Sequence, residues 1–204
     1  KGKVYNKKTL KPIGASFDLI DLATGRTVIT SYSDNVTGEF LVCLPVNHDY
    51  ALEVNSPGYC FYSENFQLKN SADASKPYRM DVPLQPIEDS AIVELKNVFF
   101  ETGKFDLKPE SKVELNKMVS WMKANPLVKI EVSGHTDNVG DKKSNMTLSN
   151  NRAKAVYDYL VANGVDAARM TYKGYGDTKP KVANDTPEHR QMNRRTEFKI
   201  TSIK

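Results

Sequence analysis

The apolar residues change their period partway along the chain, and this limits the fold more than any other feature. Up to about residue 85 they sit in short β-rich runs, "KGKVYN", "ASFDLIDL", "TVITSYS", "GEFLVCLP" and "YALEVNS". The turn clusters "KKTLKPIG", "ATG", "DNVTG" and "PVNHD" separate these runs. Alternation is clear at Phe17, Leu19 and, after a one-residue slip, Leu22, and again at Phe40, Val42 and Leu44. Strands repeating every 8–12 residues or so predict a small all-β sandwich. "RMDVPLQPI" reads as its last strand, and the stretch 70–90, mixed in Pro, Ser, Asp and Ala, carries the boundary near Pro86 to Ser90. Residues 1–87 and 88–204 are therefore expected to form separate domains.

Beyond that boundary, helical periods appear. "AIVELKNVFFE" reads as a strand and "LKPESKVELNKMVSWMKANP" as a helix, with Pro109 in its first turn and Pro126 as its stop. Leu115, Met118, Val119 and Met122 fall at i, i+3, i+4, i+7, one buried stripe. "VKIEVSG" is a strand. "SNNRAKAVYDYLVANG" is a second helix with Ala153, Val156, Tyr157, Leu160 and Val161 on one face and Gly164 as its end signal. "RMTYKGYG" and "RRTEFKITS" complete a β-α-β-α-β-β order, an α+β sandwich with two helices on one sheet face.

Composition narrows the functional classes. Residues 1–87 carry nine Lys/Arg and nine Asp/Glu, so the net charge of +4 belongs to the second half. That is too mild for a nucleic-acid stripe, though not for a module facing an acidic polymer. No apolar run approaches the roughly 18 residues of a membrane span. The opening "KGKVYN" shows no signal sequence and reads as the middle of a larger protein. Cys43 and Cys60 have neither CxxC spacing nor histidines beside them, which leaves a disulfide or two buried thiols.

The stretch "GHTDNVGDKKSNMTLSNNRA" carries the chemistry. His135 and Asp137 invite a catalytic reading, but GxSxG, HExxH and SxxK signatures are missing, and nothing marks Ser133 or Ser149 as activated. His48 and His189 lie in distant loops, so no metal set converges; neither catalytic residues nor a cofactor are expected. Asp137 leaves a strand end into a loop with Gly140, and Arg152 follows fifteen residues later in the first turns of the next helix. An acid and a guanidinium held apart complement a zwitterion; in contact they make a structural salt bridge. Spacing does not choose between these two.

Two resemblances bear on the choice. "GKVYNKKTLKPIGASFDLIDLATGRTV", "SDNVTGEFLVCLP" and "YALEVNSPGY" resemble the carboxypeptidase-regulatory-like family, which implies a transthyretin-like, non-catalytic accessory domain over residues 1–87. "FFETGKFDLKPES", "GHTDNVGDKKSNMTLSNNRAKAVYDYL", "YKGYGDTKP" and "NDTPEHRQMNRRTEFKI" resemble the OmpA-like peptidoglycan-binding domain over about residues 92–202. That resemblance implies non-covalent binding of the diaminopimelate in peptidoglycan stem peptides. Asp137 would pair with the ligand's free amine and Arg152 would clamp its carboxylate. Thr136 and Asn145 would orient the ligand or its loop, and Arg195 of "NRR" would add a basic contact, with Arg194 as its neighbour. Phe99, Phe100 and the "ETGK" loop would form the opposite wall, where Gly103 offers only backbone. His135 becomes a structural hydrogen-bonder.

The domain order is similar to that of Bacteroidetes OmpA-family lipoproteins, some of which tether the type IX secretion apparatus. This implies a periplasmic location at the outer membrane, with outer-membrane or secretion proteins as partners of the first domain. Alternatives are a stator-type anchor of an ion-driven motor, or the binding part of a peptidoglycan hydrolase.

Overall fold

A computed structural model describes residues 1–68 and 76–204 and divides them into two compact units, Lys1–Ile87 and Glu88–Lys204. Residues 70–75 of the mixed boundary stretch lie outside the described residues.

The described residues of the first unit hold seven strands: β1 (Gly2–Asn6), β2 (Ser16–Asp21), β3 (Arg26–Tyr32), β4 (Glu39–Phe40), β5 (Asp49–Asn55), β6 (Tyr62–Gln67) and β7 (Val82–Leu84). They form a three-stranded sheet, β4-β1-β7, and a four-stranded sheet, β3-β2-β5-β6. Val4, Val82 and Leu84 of the first sheet share one core with Phe17, Leu19, Leu52 and Val54 of the second. Phe40, Val42 and Leu44 pack against that core while Leu41 and Cys43 are exposed, so the alternation is kept although the chain leaves strand geometry after Phe40. The slip after Leu19 is a register shift in the β2–β3 pairing between Leu19 and Ile20. It turns Ile20 and Asp21 into the buried positions and leaves Leu22 only half-buried. Strand β6 was not expected, because "YSENFQ" is polar enough to read as a loop. Cys43 and Cys60 are free thiols, and only Cys60 is buried.

The second unit runs β8 (Ile92–Glu94), α1 (Ser111–Ala124), β9 (Lys129–Gly134), α2 (Lys142–Ala162), a 3-10 turn (Ala167–Arg169), β10 (Met170–Gly174), α3 (Pro187–Asn193) and β11 (Thr196–Ser202). Its sheet order is β10-β9-β11-β8, with β10 parallel to β9 and β11 antiparallel to both β9 and β8. The expected α+β class holds, with four corrections.

Strand β8 is short because side chains of α1 take over its backbone hydrogen bonds: Asn97 N donates to the Glu114 carboxylate, and Phe99 N to Ser111 Oγ at 2.8 Å. Pro109 stands before the N-cap Glu110 instead of inside the first turn. Helix α2 starts seven residues earlier than "SNNRA", since Asp141 caps it by accepting from Ser144 N at 2.8 Å. Helix α3 adds an element to the expected order, with Thr186 as its cap and Pro187 opening it.

Leu115, Met118, Val119 and Met122 are buried as one stripe, joined by Trp121, whose ring lies 5.3 Å from that of Phe198 on β11. From α2, Ala153, Val156 and Leu160 are fully buried, while Val161 is exposed.

Candidate functional site

The site is built at the end of β9, where α2 lies unusually close to the sheet. Gly134 and Gly174 are register partners across β9 and β10. A Cβ on Gly134 would meet Ser149 O at 2.1 Å, and one on Gly174 would meet Asn150 N at 2.2 Å. Glycine is therefore required at both positions for the backbone of α2 to rest on the strand ends. Ser149 and Asn150 fix the contact: Gly176 N donates to Ser149 Oγ at 2.9 Å, and Gly174 N to Asn150 Oδ1 at 3.2 Å. Arg152 follows within the same helical turn, in the middle of α2 and not in its first turns.

Past Gly134 the chain stays strapped. His135 N donates to Arg195 O and Thr136 N to Gly176 O, both at 2.9 Å. Asp137 then faces a cavity of about 660 Å³. Its lining includes Phe99, Phe100, Gly103, Thr136, Asn145, Arg152, Gln191 and Arg194.

Arg152 does not touch Asp137. Its Nε donates to Lys104 O at 3.0 Å and Nη2 to Glu101 O at 3.2 Å, with the guanidinium 5.0 Å from the centre of the Phe100 ring. Both carbonyls belong to the "ETGK" turn, closed by Lys104 N donating to Glu101 O; Gly103, at φ +71°, supplies the left-handed residue that turn needs. Nη1 makes no hydrogen bond to the described residues. Burial, and then the neighbouring Arg194 charge, hold the Arg152 guanidinium below its ordinary pKa, with Asp137 opposing them. A cation already partly stripped of water, with a free donor edge, is ready for a carboxylate.

Asp137 uses Oδ1 to accept from Val139 N at 3.0 Å, and its Oδ2 pairs with Arg194 Nη1. Arg194 is tied back through Nη2 to Gln191 Oε1. Asn145 donates to the carbonyls of Val139 at 3.0 Å and Asp137 at 3.3 Å, so it shapes the loop. Thr136 Oγ1, at the cavity wall, is buried and has no hydrogen-bond partner among the described residues.

Of the expected site residues, Asp137, Arg152, Thr136, Asn145 and Gly103 line this cavity and Arg195 does not. Arg195, the residue before β11, turns toward Glu197 two positions on. Its Nε donates to Glu197 Oε2 at 2.8 Å, and its terminal nitrogens to Lys179 O. Arg194, at the end of α3, takes the pocket position instead. Gln191, on the additional helix α3, also lines the cavity.

His135 is part of a packing network outside the cavity lining. Its Nε2 lies 3.1 Å from Glu197 Oε1, and its ring stacks on Tyr175. Burial pushes the Glu197 carboxyl up, but its hydrogen bonds from His135 and Arg195, with their charges, outweigh that and hold it down to about 2. Among the described residues no group of three or more His, Cys, Asp or Glu is placed to hold a metal ion.

Parts of the chain are similar to known proteins. Residues 99–194 match the OmpA family. Outer membrane protein A of Bordetella avium is 38% identical over 124 residues, 58% of this chain and 64% of that protein. Peptidoglycan-binding protein ArfA of Mycobacterium bovis is 42% identical over 86 residues, covering 42% of this chain and 26% of that protein. The chain thus spans less than two thirds of either relative. The periplasmic domain of Helicobacter pylori MotB superposes with a TM-score of 0.51 at 25% identity, over 57% of this chain and 85% of that one. Across residues 99–194 this chain is similar to the OmpA family.

Proposed function

We propose that the chain binds peptidoglycan non-covalently, gripping the diaminopimelate of a stem peptide in the Asp137–Arg152 cavity. One observation carries this reading. Arg152 is held by two backbone carbonyls with Nη1 left over, apart from Asp137, so the cavity presents an anchored cation and a carboxylate as separate partners. The ligand's carboxylate meets Arg152 and its ammonium meets Asp137. Lysine differs from diaminopimelate by one carboxylate. It would leave the Arg152 edge unpaired, which costs on the order of 2–5 kcal/mol for a desolvated charge pair.

Residues 1–87 act as a regulatory-like accessory domain of transthyretin type in this reading. The whole protein is an outer-membrane-associated periplasmic lipoprotein, and through that domain it links a partner such as a type IX secretion component to the wall. Support for the wall-binding part comes from the OmpA-family match and from ArfA, a relative named as peptidoglycan-binding.

Sedimentation with purified sacculi tests it. Arg152→Ala and Asp137→Ala should each abolish co-sedimentation with diaminopimelate-type sacculi while circular dichroism stays unchanged. Wild-type binding by either variant would refute the site, and equal binding of lysine-type muropeptides would refute the selectivity.

A further inference from the structure

The charges lining the cavity do not balance against a simple zwitterion. Asp137, Arg152 and Arg194 are its charged residues, two cations against one anion. Without ligand, Arg194 occupies the Asp137 Oδ2 edge while the other edge accepts from Val139 N. A ligand ammonium arriving at Asp137 takes the place of Arg194 Nη1. The displaced guanidinium keeps only the neutral Gln191 as a partner and now shares the cavity with Arg152 and the new ammonium. These cations repel one another: the Arg194 charge already depresses the Arg152 pKa across the cavity.

We propose that the site selects a stem peptide whose diaminopimelate ends the chain, so that the residue brings one ammonium and two free carboxylates. The ammonium replaces Arg194 at Asp137, the side-chain-end carboxylate pairs with Arg152, and the main-chain carboxylate takes the displaced Arg194. Cavity and ligand then sum to neutrality. A diaminopimelate whose main-chain carboxyl is tied up as an amide lacks the third pairing. Gln191 retains Arg194 at the rim, where it can move from Asp137 to the ligand.

This inference rests on the diaminopimelate reading above, and the experiment separates the two. The probes are the synthetic tripeptide L-Ala–γ-D-Glu–diaminopimelate as the free acid, and the same tripeptide with its main-chain terminal carboxylate as a primary amide. Both are titrated calorimetrically into the 204-residue chain and into its Arg194→Gln variant. The wild type should bind the free acid on the order of 10- to 100-fold more tightly than the amide, the range for one charge-assisted contact. The variant should bind the two alike. Equal binding of both probes by the wild type overturns the selectivity and leaves the diaminopimelate reading standing, as does a variant that keeps the full preference. If the wild type binds neither probe, both fail.

Discussion

Alanine at Gly134 should damage the pocket without touching any residue that lines it. Its Cβ would sit 2.1 Å from Ser149 O, about 1.3 Å inside the 3.4 Å where ordinary contact begins. The obstacle is helix backbone, which cannot swing aside as a side chain would, so α2 must lift or the strand end must bend. Overpacking of this kind costs about 1–3 kcal/mol, enough to lower the melting midpoint by several degrees. Arg152 rides on the same turn of α2 as Ser149, three residues on. Its hydrogen bonds to Lys104 O and Glu101 O, now 3.0 and 3.2 Å, would pass beyond hydrogen-bonding range if the helix moved by the full deficit. The guanidinium would then lose its fixed direction, and affinity for a diaminopimelate tripeptide should fall about 10- to 100-fold, the worth of one charge-assisted contact. Thermal unfolding and calorimetric titration read the two effects separately. Gly174→Ala, whose Cβ meets Asn150 N at 2.2 Å on the same helix, should behave alike. If Gly134→Ala melts and binds as the parent does, the close seating of α2 is not what aims Arg152.

Three further outcomes follow from the same geometry. Phe100→Leu removes the ring lying 5.0 Å from the Arg152 guanidinium, so ligand affinity should drop severalfold, in line with about 0.5–2 kcal/mol for a partly desolvated cation–π contact. The Glu197 carboxyl is held down to about 2 from an ordinary 4.5; its contribution to stability is present above pH 4.5 and lost as pH falls toward 2. Urea midpoints of the parent should therefore decline more between pH 5 and pH 3 than those of Glu197→Gln, and parallel declines would refute the pairing. A maleimide should label Cys43 alone in the native protein and both Cys43 and Cys60 after unfolding, read by intact mass without reductant; a mass showing no free thiol would instead indicate a disulfide.

Local pattern was informative wherever one face of an element alone decides its burial. The α1 stripe and the Ala153, Val156 and Leu160 face are such cases, because a helix that buries one side must repeat its apolar residues every three to four positions. The pattern failed where polar residues take structural roles. In "YSENFQ" only Tyr62 and Phe66 pack on the core, and pairing with β5 completes the strand; the first turns of α2 are mostly exposed, so its cap at Asp141 is the one local signal there. At the β8 end, Glu114 and Ser111 of α1 capture backbone N–H groups that a strand would have used, a competition no local window contains.

The sequence by itself determined the change of period, the α+β order of the second half, and the placing of an acid and an arginine fifteen residues apart around a glycine-bearing loop. Those are properties of near neighbours along the chain. Only the tertiary structure decided that Asp137 pairs with Arg194 and not Arg152, and that Arg195 turns away to Glu197. It also showed that Arg152 is aimed by carbonyls of Glu101 and Lys104, some fifty residues before it. The physical reason is that a guanidinium goes to whichever acceptors the packed backbone leaves within about 3 Å. Here that is set by two glycines that let a helix lie on the strand ends.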